Sequence, residues 1–243
     1  QKVDLPQGYT RNAEEMFTLD LILRPKKTAA SAGRNGVVFV QDVPEAAQAE
    51  YKKGSDRLKN NKWKEGELAL RSAVELFPDY FIALELLGTE YVKRGEFENA
   101  VPILAHALEI NRSAPKALYA LGVATLKLNR PGDATDWLRR AAQLDANNAN
   151  VYMMLGISYG QIGALVEAQE SLVKAYQLGG SEVADVHLYL AGIYNKQEKY
   201  REGVKELELY MKEKKENDID PVKVNAMIEK LKAKEKAKRL STQ

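Results

Sequence analysis

Few residues of this 243-residue chain could carry out catalysis. Residues 156–160, GISYG, match the G-x-S-x-G pattern around hydrolase nucleophiles, and Asp185 and His187 follow Ser158 in the order of a hydrolase triad. In those enzymes the serine stands on a strained turn between a strand and a helix. Here Gly156 belongs to a row of regularly spaced small residues inside a predicted helix. We therefore predict that the chain is not an enzyme.

The sequence also lacks the residue groups that hold metals or cofactors. It contains no cysteine and two histidines, His106 and His187, neither of which has a carboxylate partner at metal-ligand spacing beyond the Asp185 pair. Isolated histidines of this kind are more often core or solvated residues than ligands. No glycine loop of the phosphate-binding type occurs, and many of the glycines belong to the repeat pattern instead. We expect no metal, no cofactor and no small-molecule substrate.

Composition narrows the class of protein further. Hydrophobic residues make up 45% of the chain, enough for a sizeable core, and 36 basic residues nearly balance 34 acidic ones. The small net charge of +2 disfavours a nucleic-acid partner. No apolar stretch approaches the roughly 18 residues of a membrane span, so we expect a soluble protein without a transmembrane segment. Because an export signal could have been removed before Gln1, an extracytoplasmic location in a bacterium is one hypothesis.

Small residues and leucines recur with a period of 34 residues, which lengthens to 35 at the last repeat. Three rows share this register: Gly54, Gly88, Gly122, Gly156 and Ala191; Gly66, Ala100, Ala134, Ala168 and Gly203; and Leu70, Leu104, Leu138, Leu172 and Leu207. Within each period apolar residues follow helical spacing, and residues 94–96 and 161–163 mark turns. Each period therefore predicts two helices that approach closely at the small residues, with leucines filling the space beside them.

This pattern resembles the tetratricopeptide repeat family, whose unit has small residues, a tyrosine and alanines at fixed places. The tyrosine place is filled by Tyr91, Tyr159 and Tyr194, but by Arg57 and Thr125 in two other units. Five repeats within residues 42–217 start near Ala47, Phe81, Pro115, Ala149 and Ala184. The resemblance implies an all-α, right-handed α-α solenoid of about five helix pairs.

Residues 1–41 have a different pattern. Residues 17–23 alternate apolar and polar side chains, and residues 37–40 are a second β-branched run, so two short strands are predicted. The composition of residues 24–36 is typical of a flexible linker. The strands either pair and pack on the first helices or are the remnant of an upstream β domain. We favour the remnant, because a small β domain often precedes the repeats in the bacterial proteins that this chain resembles.

Residues 218–243 predict a terminal helix. Asp220 can cap a helix that starts at Pro221. Four apolar residues share one face of it: Val224, Met227, Ile228 and Leu231. From Pro221 onward seven basic residues oppose two acidic ones, a charge of +5. We interpret the segment as a capping helix with a basic, solubilising tail, and an electrostatic anchor to acidic lipid or RNA is the alternative.

A second stripe on the first helix of each repeat is the candidate binding surface. In the family these positions face the inside of the curved stack, and here their centre is unusually apolar. The candidate residues are Tyr51, Leu58, Glu85, Thr89, Val92, Lys116, Tyr119, Val123, Leu126, Asn150, Met153, Ile157, Leu188 and Asn195. A row of lysines lies along the edge of the stripe: Lys59, Lys93, Lys127 and Lys196. The alternative interpretation is that the apolar members are buried between neighbouring helices.

These observations predict a non-catalytic scaffold for protein–protein interaction, which binds a peptide or helix of a partner in the concave groove of the repeats. The alternative is a regulatory or docking module of a larger envelope protein or enzyme whose other domain is missing from this sequence. Both hypotheses use the groove as the binding site. They differ in whether the repeats are linked to a further domain in the same protein.

Overall fold

The computed structural model describes residues 39–214 and 220–241. The chain divides into two units at Val40, and the description below concerns the unit that begins at Gln41. Its described residues form eleven α-helices: α1 (Glu45–Lys59), α2 (Trp63–Leu76), α3 (Phe81–Lys93), α4 (Phe97–Ile110), α5 (Pro115–Lys127), α6 (Pro131–Leu144), α7 (Ala149–Ile162), α8 (Leu165–Gly179), α9 (Val186–Lys196), α10 (Tyr200–Glu213) and α11 (Pro221–Ser241). A short 3₁₀ turn, Gly180–Val183, precedes α9. The predicted all-helical class is therefore confirmed for this part of the chain.

The first ten helices stack as pairs. Within the pairs, α1 packs on α2, α3 on α4, α5 on α6, α7 on α8 and α9 on α10. The first helices of neighbouring pairs also contact one another directly, α3 with α5, α5 with α7 and α7 with α9. We call the surface formed by α1, α3, α5, α7 and α9 the first-helix face. This repeated stacking is the solenoid arrangement that the 34-residue period predicts.

The rows of glycine and leucine hold the two helices of each pair together. A Cβ atom placed on Gly122 would lie 2.6 Å from Leu138 Cγ, and one placed on Gly88 would lie 2.6 Å from Leu104 Cγ. Both leucines are completely buried. Because a larger side chain at either glycine would force the helices apart, the small residues have the packing role that was predicted for them.

The turn within each helix pair requires one residue in the left-handed backbone conformation. The five residues at this place are Asn61, Gly95, Asn129, Gly163 and Glu198, with φ angles of 57°, 77°, 59°, 84° and 57°. Glycine and asparagine adopt this conformation at little cost. Glu198 has a full side chain, so we expect about 1 kcal/mol of strain at the last turn.

Helix α11 packs on α10 and follows the last helix pair. Val224, Ile228 and Leu231 are 5–6% exposed and form a cluster with Leu207 of α10. At the start of the helix, the Lys223 backbone N–H donates to Asp220 Oδ1 at 3.1 Å. The apolar contact and the N-terminal cap are those that the sequence predicts.

The predicted N-terminal β segment lies almost entirely outside the described residues. Phe39 and Val40, at the end of the second predicted strand, have no regular secondary structure. The strands within residues 1–38 therefore stay a prediction. Among the helices of residues 39–214 and 220–241, none combines the length and the apolar composition that crossing a membrane requires.

Candidate peptide-binding surface

The predicted groove residues all lie on first helices. They are Tyr51 and Leu58 on α1; Glu85, Thr89 and Val92 on α3; Lys116, Tyr119, Val123 and Leu126 on α5; Asn150, Met153 and Ile157 on α7; and Leu188 and Asn195 on α9. Their spacings of three, four and seven put the members of one helix on one side of it. Because α3, α5, α7 and α9 contact one another in order, these sides lie next to each other on the first-helix face.

Burial divides these residues into three groups. Lys116 and Asn150 are exposed. Leu126 is only 6% exposed, which corrects its predicted place: it is a core residue rather than part of an open groove. The remaining residues are half-buried: Tyr51, Leu58, Glu85, Thr89, Val92, Tyr119, Val123, Met153, Ile157, Leu188 and Asn195.

The half-buried apolar side chains contribute to the fold and to the surface together. Five pack against the central core: Tyr51, Leu58, Val92, Tyr119 and Ile157. Met153 packs against the core of α8 and α9, and Leu188 against the core of α10 and α11. Burial between helices, the alternative interpretation of the stripe, thus applies to part of each side chain. The other part remains open on the first-helix face.

Electrostatic influence links three polar groups from successive helix pairs on this face. Burial raises the pKa of Glu85, while Lys116 and a hydrogen bond from the Ala117 backbone N–H act in the opposite direction. Burial, and then the Glu85 carboxylate, raise the pKa of Tyr51. Lys116 thus acts on Glu85 and Glu85 on Tyr51, so we describe these three residues of α1, α3 and α5 as a polar line. This line offers a phenol, a carboxylate and an ammonium group to a partner.

The centre of the face, on α5 and α7, is uncharged. Burial raises the pKa of Tyr119, so its phenol is protonated at neutral pH. Val123 lies on the same helix as Tyr119, and Met153 and Ile157 lie on α7, which contacts that helix. On neighbouring α3, the Thr89 hydroxyl donates to the Glu85 carbonyl oxygen at 2.6 Å and is therefore used by its own helix. The centre of the face is suited to contact with apolar side chains.

Helix α11 reaches the last part of the face. Lys234 Nζ donates to Asn195 Oδ1 at 2.8 Å. A cavity of about 160 Å³ between α9, α10 and α11 is lined in part by Gly192, Met227 and Leu231. Met227, predicted to share the buried face of α11 with Leu231, is 37% exposed here. Asn195 is therefore already engaged in attaching α11, a contact that the repeat pattern does not indicate.

The predicted row of lysines consists largely of side chains with local partners. Lys59 and Lys93 form ion pairs with carboxylates three residues before them, at 3.4 and 2.5 Å. Lys196 Nζ donates to the Gly160 carbonyl oxygen at 2.9 Å. Exposed pairs of this kind contribute little energy. The lysine row therefore contributes to solubility at the edge of the face and does not create a strong electrostatic field.

The hydrolase-like pattern lies within a regular helix. Ser158 is completely buried in the middle of α7, and its hydroxyl donates to the Pro131 carbonyl oxygen at 2.6 Å. Thr135 Oγ1 lies 2.7 Å from the same hydroxyl. Asp185 is paired with Lys214 at 3.0 Å rather than with a histidine. The serine of this pattern is thus a buried hydrogen-bonding residue between α6 and α7.

The sequence did not predict the surroundings of His187. The ring is 3% exposed, with Nδ1 2.6 Å from Glu206 Oε2 and Nε2 3.5 Å from Glu213 Oε2, and Tyr176 donates to the second carboxylate. The two glutamates are seven residues apart on α10, a spacing that places them on one side of the helix. The arrangement is a buried polar cluster in which the two ring nitrogens face different carboxylates. Within the described ranges, no group of three histidine, aspartate and glutamate side chains could hold a metal ion.

Comparison with known proteins agrees with this geometry. The family model described as tetratricopeptide repeat matches residues 85–149. Anaphase-promoting complex subunit 3 of Schizosaccharomyces pombe is 29% identical over 90 residues, which are 37% of this chain and 14% of that protein. The chain thus spans a small part of the length of the curated relative that it matches.

Solved structures share the fold. The crystal structure of MamA protein is similar with a TM-score of 0.65 and 21% identity, over 70% of this chain and 92% of that one. The structure of YrrB, described as a tetratricopeptide repeat protein with an unusual peptide-binding site, has a TM-score of 0.63 and 20% identity, over 69% and 86% of the two chains. At these identities the likeness shows the fold alone. The family match over residues 85–149 and the shared fold agree with the repeat pattern of the sequence.

Proposed function

We propose that the chain is a non-catalytic scaffold that binds a segment of a partner protein on its first-helix face. Proteins with tetratricopeptide repeats are protein-interaction scaffolds. The observation that supports this role here is the half-buried, uncharged centre of the face, where Tyr119 and Val123 of α5 lie beside Met153 and Ile157 of α7. A partner that covers this centre would remove apolar surface from water, at about 25 cal/mol for each Å².

The surface is also ordered before a partner arrives. Tyr119 and Ile157 pack against the central core, and Met153 packs against the next one. Their conformations are therefore restrained in the free protein, and association costs little side-chain entropy on this side. Most of the conformational entropy lost on binding is therefore lost by the partner segment.

The chemistry of the face favours a particular kind of segment. Apolar side chains of the segment would lie over α5 and α7, and polar groups would meet the line of Tyr51, Glu85 and Lys116. An extended peptide or an amphipathic helix can present such a pattern. YrrB is described as having a peptide-binding site, and the curated relative is named as a subunit of a complex, which agrees with protein binding as a class.

A second candidate is a docking module within a larger envelope protein or enzyme. The observation that favours it is the short match to the curated relative, since 14% of that protein's length is aligned. The matched segment is therefore a small part of a much longer protein. The first-helix face would have the same role in either case.

A pull-down from the native extract tests the proposal. The double variant Tyr119→Ala, Met153→Ala should lose partners that the wild type recovers. The matched control is Val166→Ala, Val173→Ala on α8, where the two side chains are 63% and 36% exposed. We expect the control to recover the same partners as the wild type. Recovery should also change little between about 50 and 300 mM salt, because the centre of the face is uncharged.

A second variant separates binding from folding, since Tyr119 also packs on the core. Lys116→Glu, Asn150→Glu changes two exposed residues of the face and should leave the circular dichroism spectrum unaltered, although loss of the Lys116 charge that acts on Glu85 should lower the urea midpoint slightly. It should nevertheless reduce partner recovery, because carboxylates would border the apolar centre. Equal recovery by the wild type and by both face variants would reject the first-helix face as the binding site.

A further inference from the structure

A groove at the C-terminal end of the chain lies apart from the first-helix face. It runs between α10 and α11 and has a volume of about 620 Å³. Part of its lining is apolar: Tyr200 and Val204 from α10, which are half-buried, and Leu240 from α11, which is 66% exposed. We call this feature the α10–α11 groove.

The C-terminal part of α11 adds no buried residue to the contact with the repeats. The last buried residue of the helix is Leu231, although the helix continues to Ser241. One turn beyond Leu231, the same side of the helix has Glu235 in place of an apolar residue. The contact between α10 and α11 thus changes there from an apolar interface to a polar groove.

Positive charge dominates the groove. Five of its lining residues are cationic: Arg201, Lys205, Lys232, Lys236 and Arg239. The lining contains one carboxylate, Glu235, which accepts hydrogen bonds from both Arg201 Nε at 2.8 Å and Arg239 Nε at 3.0 Å. Among the described residues, no acidic side chain lies within ion-pair distance of Lys205 or Lys236. This local excess contrasts with the nearly neutral chain as a whole.

The combination of apolar lining and cationic border selects among anionic partners. A flat bilayer surface cannot enter a groove between two helices. Nucleic-acid bases would need an open aromatic face, but Lys234 and Lys238 already lie over the Tyr200 ring, at 5.7 and 5.8 Å from its centre. A peptide can place an apolar side chain in the groove and carboxylates beside the lysines on both helices.

We propose that the α10–α11 groove is a second docking site, which binds an acidic segment of a partner protein with an apolar side chain at its centre. The two sites differ in chemistry, since the first-helix face is uncharged at its centre. The groove also does not depend on Tyr119 or Met153, so either proposal can fail while the other holds.

Fluorescence anisotropy with the full chain tests this site. The probe is a short fluorescein-labelled peptide with leucine and phenylalanine in its centre and glutamates on both sides. Lys205→Glu, Lys236→Glu should weaken its binding about tenfold, and binding should weaken steeply between about 50 and 300 mM salt. The matched control is Lys52→Glu, Lys64→Glu on α1 and α2, which makes the same change in net charge at exposed lysines far along the sequence. It should change the affinity less than about twofold.

Further variants define what the groove recognises. Leu240→Ala should weaken binding several-fold without altering the fold, because the side chain is exposed. A probe with glutamines in place of glutamates should not bind. The Tyr119→Ala, Met153→Ala variant should bind the acidic probe as the wild type does.

Three results would overturn the proposal. The first is an absence of saturable binding of the acidic probe. The second is that the groove variant and its matched control weaken probe binding equally, which would mean that binding depends on net charge alone. The third is binding to polyuridylate, or to phosphatidylcholine vesicles with about 25% phosphatidylserine, that requires Lys205 and Lys236 while the peptide does not bind.

Discussion

The first-helix face and the α10–α11 groove are built from the same kind of helix but present opposite chemistry. On the face, half-buried residues such as Tyr119 and Ile157 are packed against the repeat core. In the groove, Leu240 is 66% exposed, and five cations surround one carboxylate. The face thus follows from the stacking of the repeats, whereas the groove lies beyond the last residue that stacking buries.

The difference shows how position in the stack limits surface chemistry. A first helix in the middle is packed by its partner helix and by the first helices on either side, so a charge there is costly. Glu85 shows this cost, since burial raises its pKa. Within residues 39–214 and 220–241, the end of α11 has helices on one side only, so lysines are tolerated there. Terminal helices can therefore evolve charged binding sites with less effect on stability than central ones.

The largest expected effect tests whether α11 is anchored by its apolar stripe. Leu231→Ala should lower the free energy of unfolding by about 2–4 kcal/mol, because Leu231 is 6% exposed and lies against Gly203. Leu240→Ala on the same helix should change it by less than about 0.5 kcal/mol. Urea denaturation followed by circular dichroism measures both. Similar shifts for the two variants would show that α11 is not held as described.

A pair of identical substitutions compares the middle of the stack with its end. Gly122→Ala should destabilise by about 1–3 kcal/mol, since its Cβ would lie 2.6 Å from Leu138 Cγ. Gly192→Ala, in the middle of α9, has no atom within 4 Å of the new Cβ and should stabilise by up to about 1 kcal/mol. The measurement is again the urea midpoint. Changes of the same sign would contradict the packing role of the small-residue row.

Two glutamates should show opposite dependence of stability on pH. Partial burial acts to raise the pKa of Glu67, but hydrogen bonds from Tyr91 and Arg71 outweigh it and lower the pKa from its ordinary value of 4.5. Its stabilising effect is present above that value and is lost as pH falls through the lowered pKa. The difference in free energy of unfolding between the wild type and Glu67→Gln should therefore become smaller as pH falls through this acid range.

For Glu85 the sign is reversed. Burial, the largest influence, raises its pKa above 4.5, so the folded state loses stability as pH rises from that value through the raised pKa. The free energy of unfolding of Glu85→Gln should rise relative to that of the wild type over this range. The pH-dependent changes for Glu67→Gln and Glu85→Gln should each stay below about 1 kcal/mol. Urea midpoints between pH 3 and about pH 7 measure them, and parallel curves for the two variants would contradict the assignment.

The smallest effect concerns the strained turn before α10. Glu198→Asn should raise the free energy of unfolding by about 0.5–1 kcal/mol, because asparagine tolerates the φ of 57° found there. Lys238, which pairs with Glu198 at 2.9 Å, provides the control. Lys238→Ala removes the ion pair without relieving the turn and should cost less than about 1 kcal/mol. A loss of stability in Glu198→Asn larger than in Lys238→Ala would show that the turn is not strained.

Much of the fold could be predicted from the sequence because each repeat meets mainly its own helices and its neighbours. The glycine and leucine rows predicted which backbones approach, and Gly88 with Leu104 has the expected contact. Turns were recognised at residues 94–96 and 161–163 because they contain glycine. The equivalent turns at Asn129 and Glu198 were not, because the left-handed residue is not glycine in either turn.

The candidate site was less predictable than the fold. The helical stripe indicated which side of each first helix forms the face, but not how deeply each residue lies within it. Leu126 is buried although it has the same spacing as Tyr119 and Val123. Depth depends on the distance between neighbouring helices, and a period in the sequence does not encode this distance. Whether Asn195 is available to a partner also depends on its hydrogen bond with Lys234, which lies 39 residues further along the chain.

The sequence by itself determined the helix pairs, the small-residue contacts and the terminal helix, since each follows from a local period or from neighbours about one repeat apart. Tertiary structure alone decided the contact of His187 with Glu206 and Glu213, the exposure of the first-helix face and the existence of the α10–α11 groove. These features arise where side chains from separate helices converge. Their convergence depends on helix angles and distances, which are set by the packing of the whole stack rather than by any one segment.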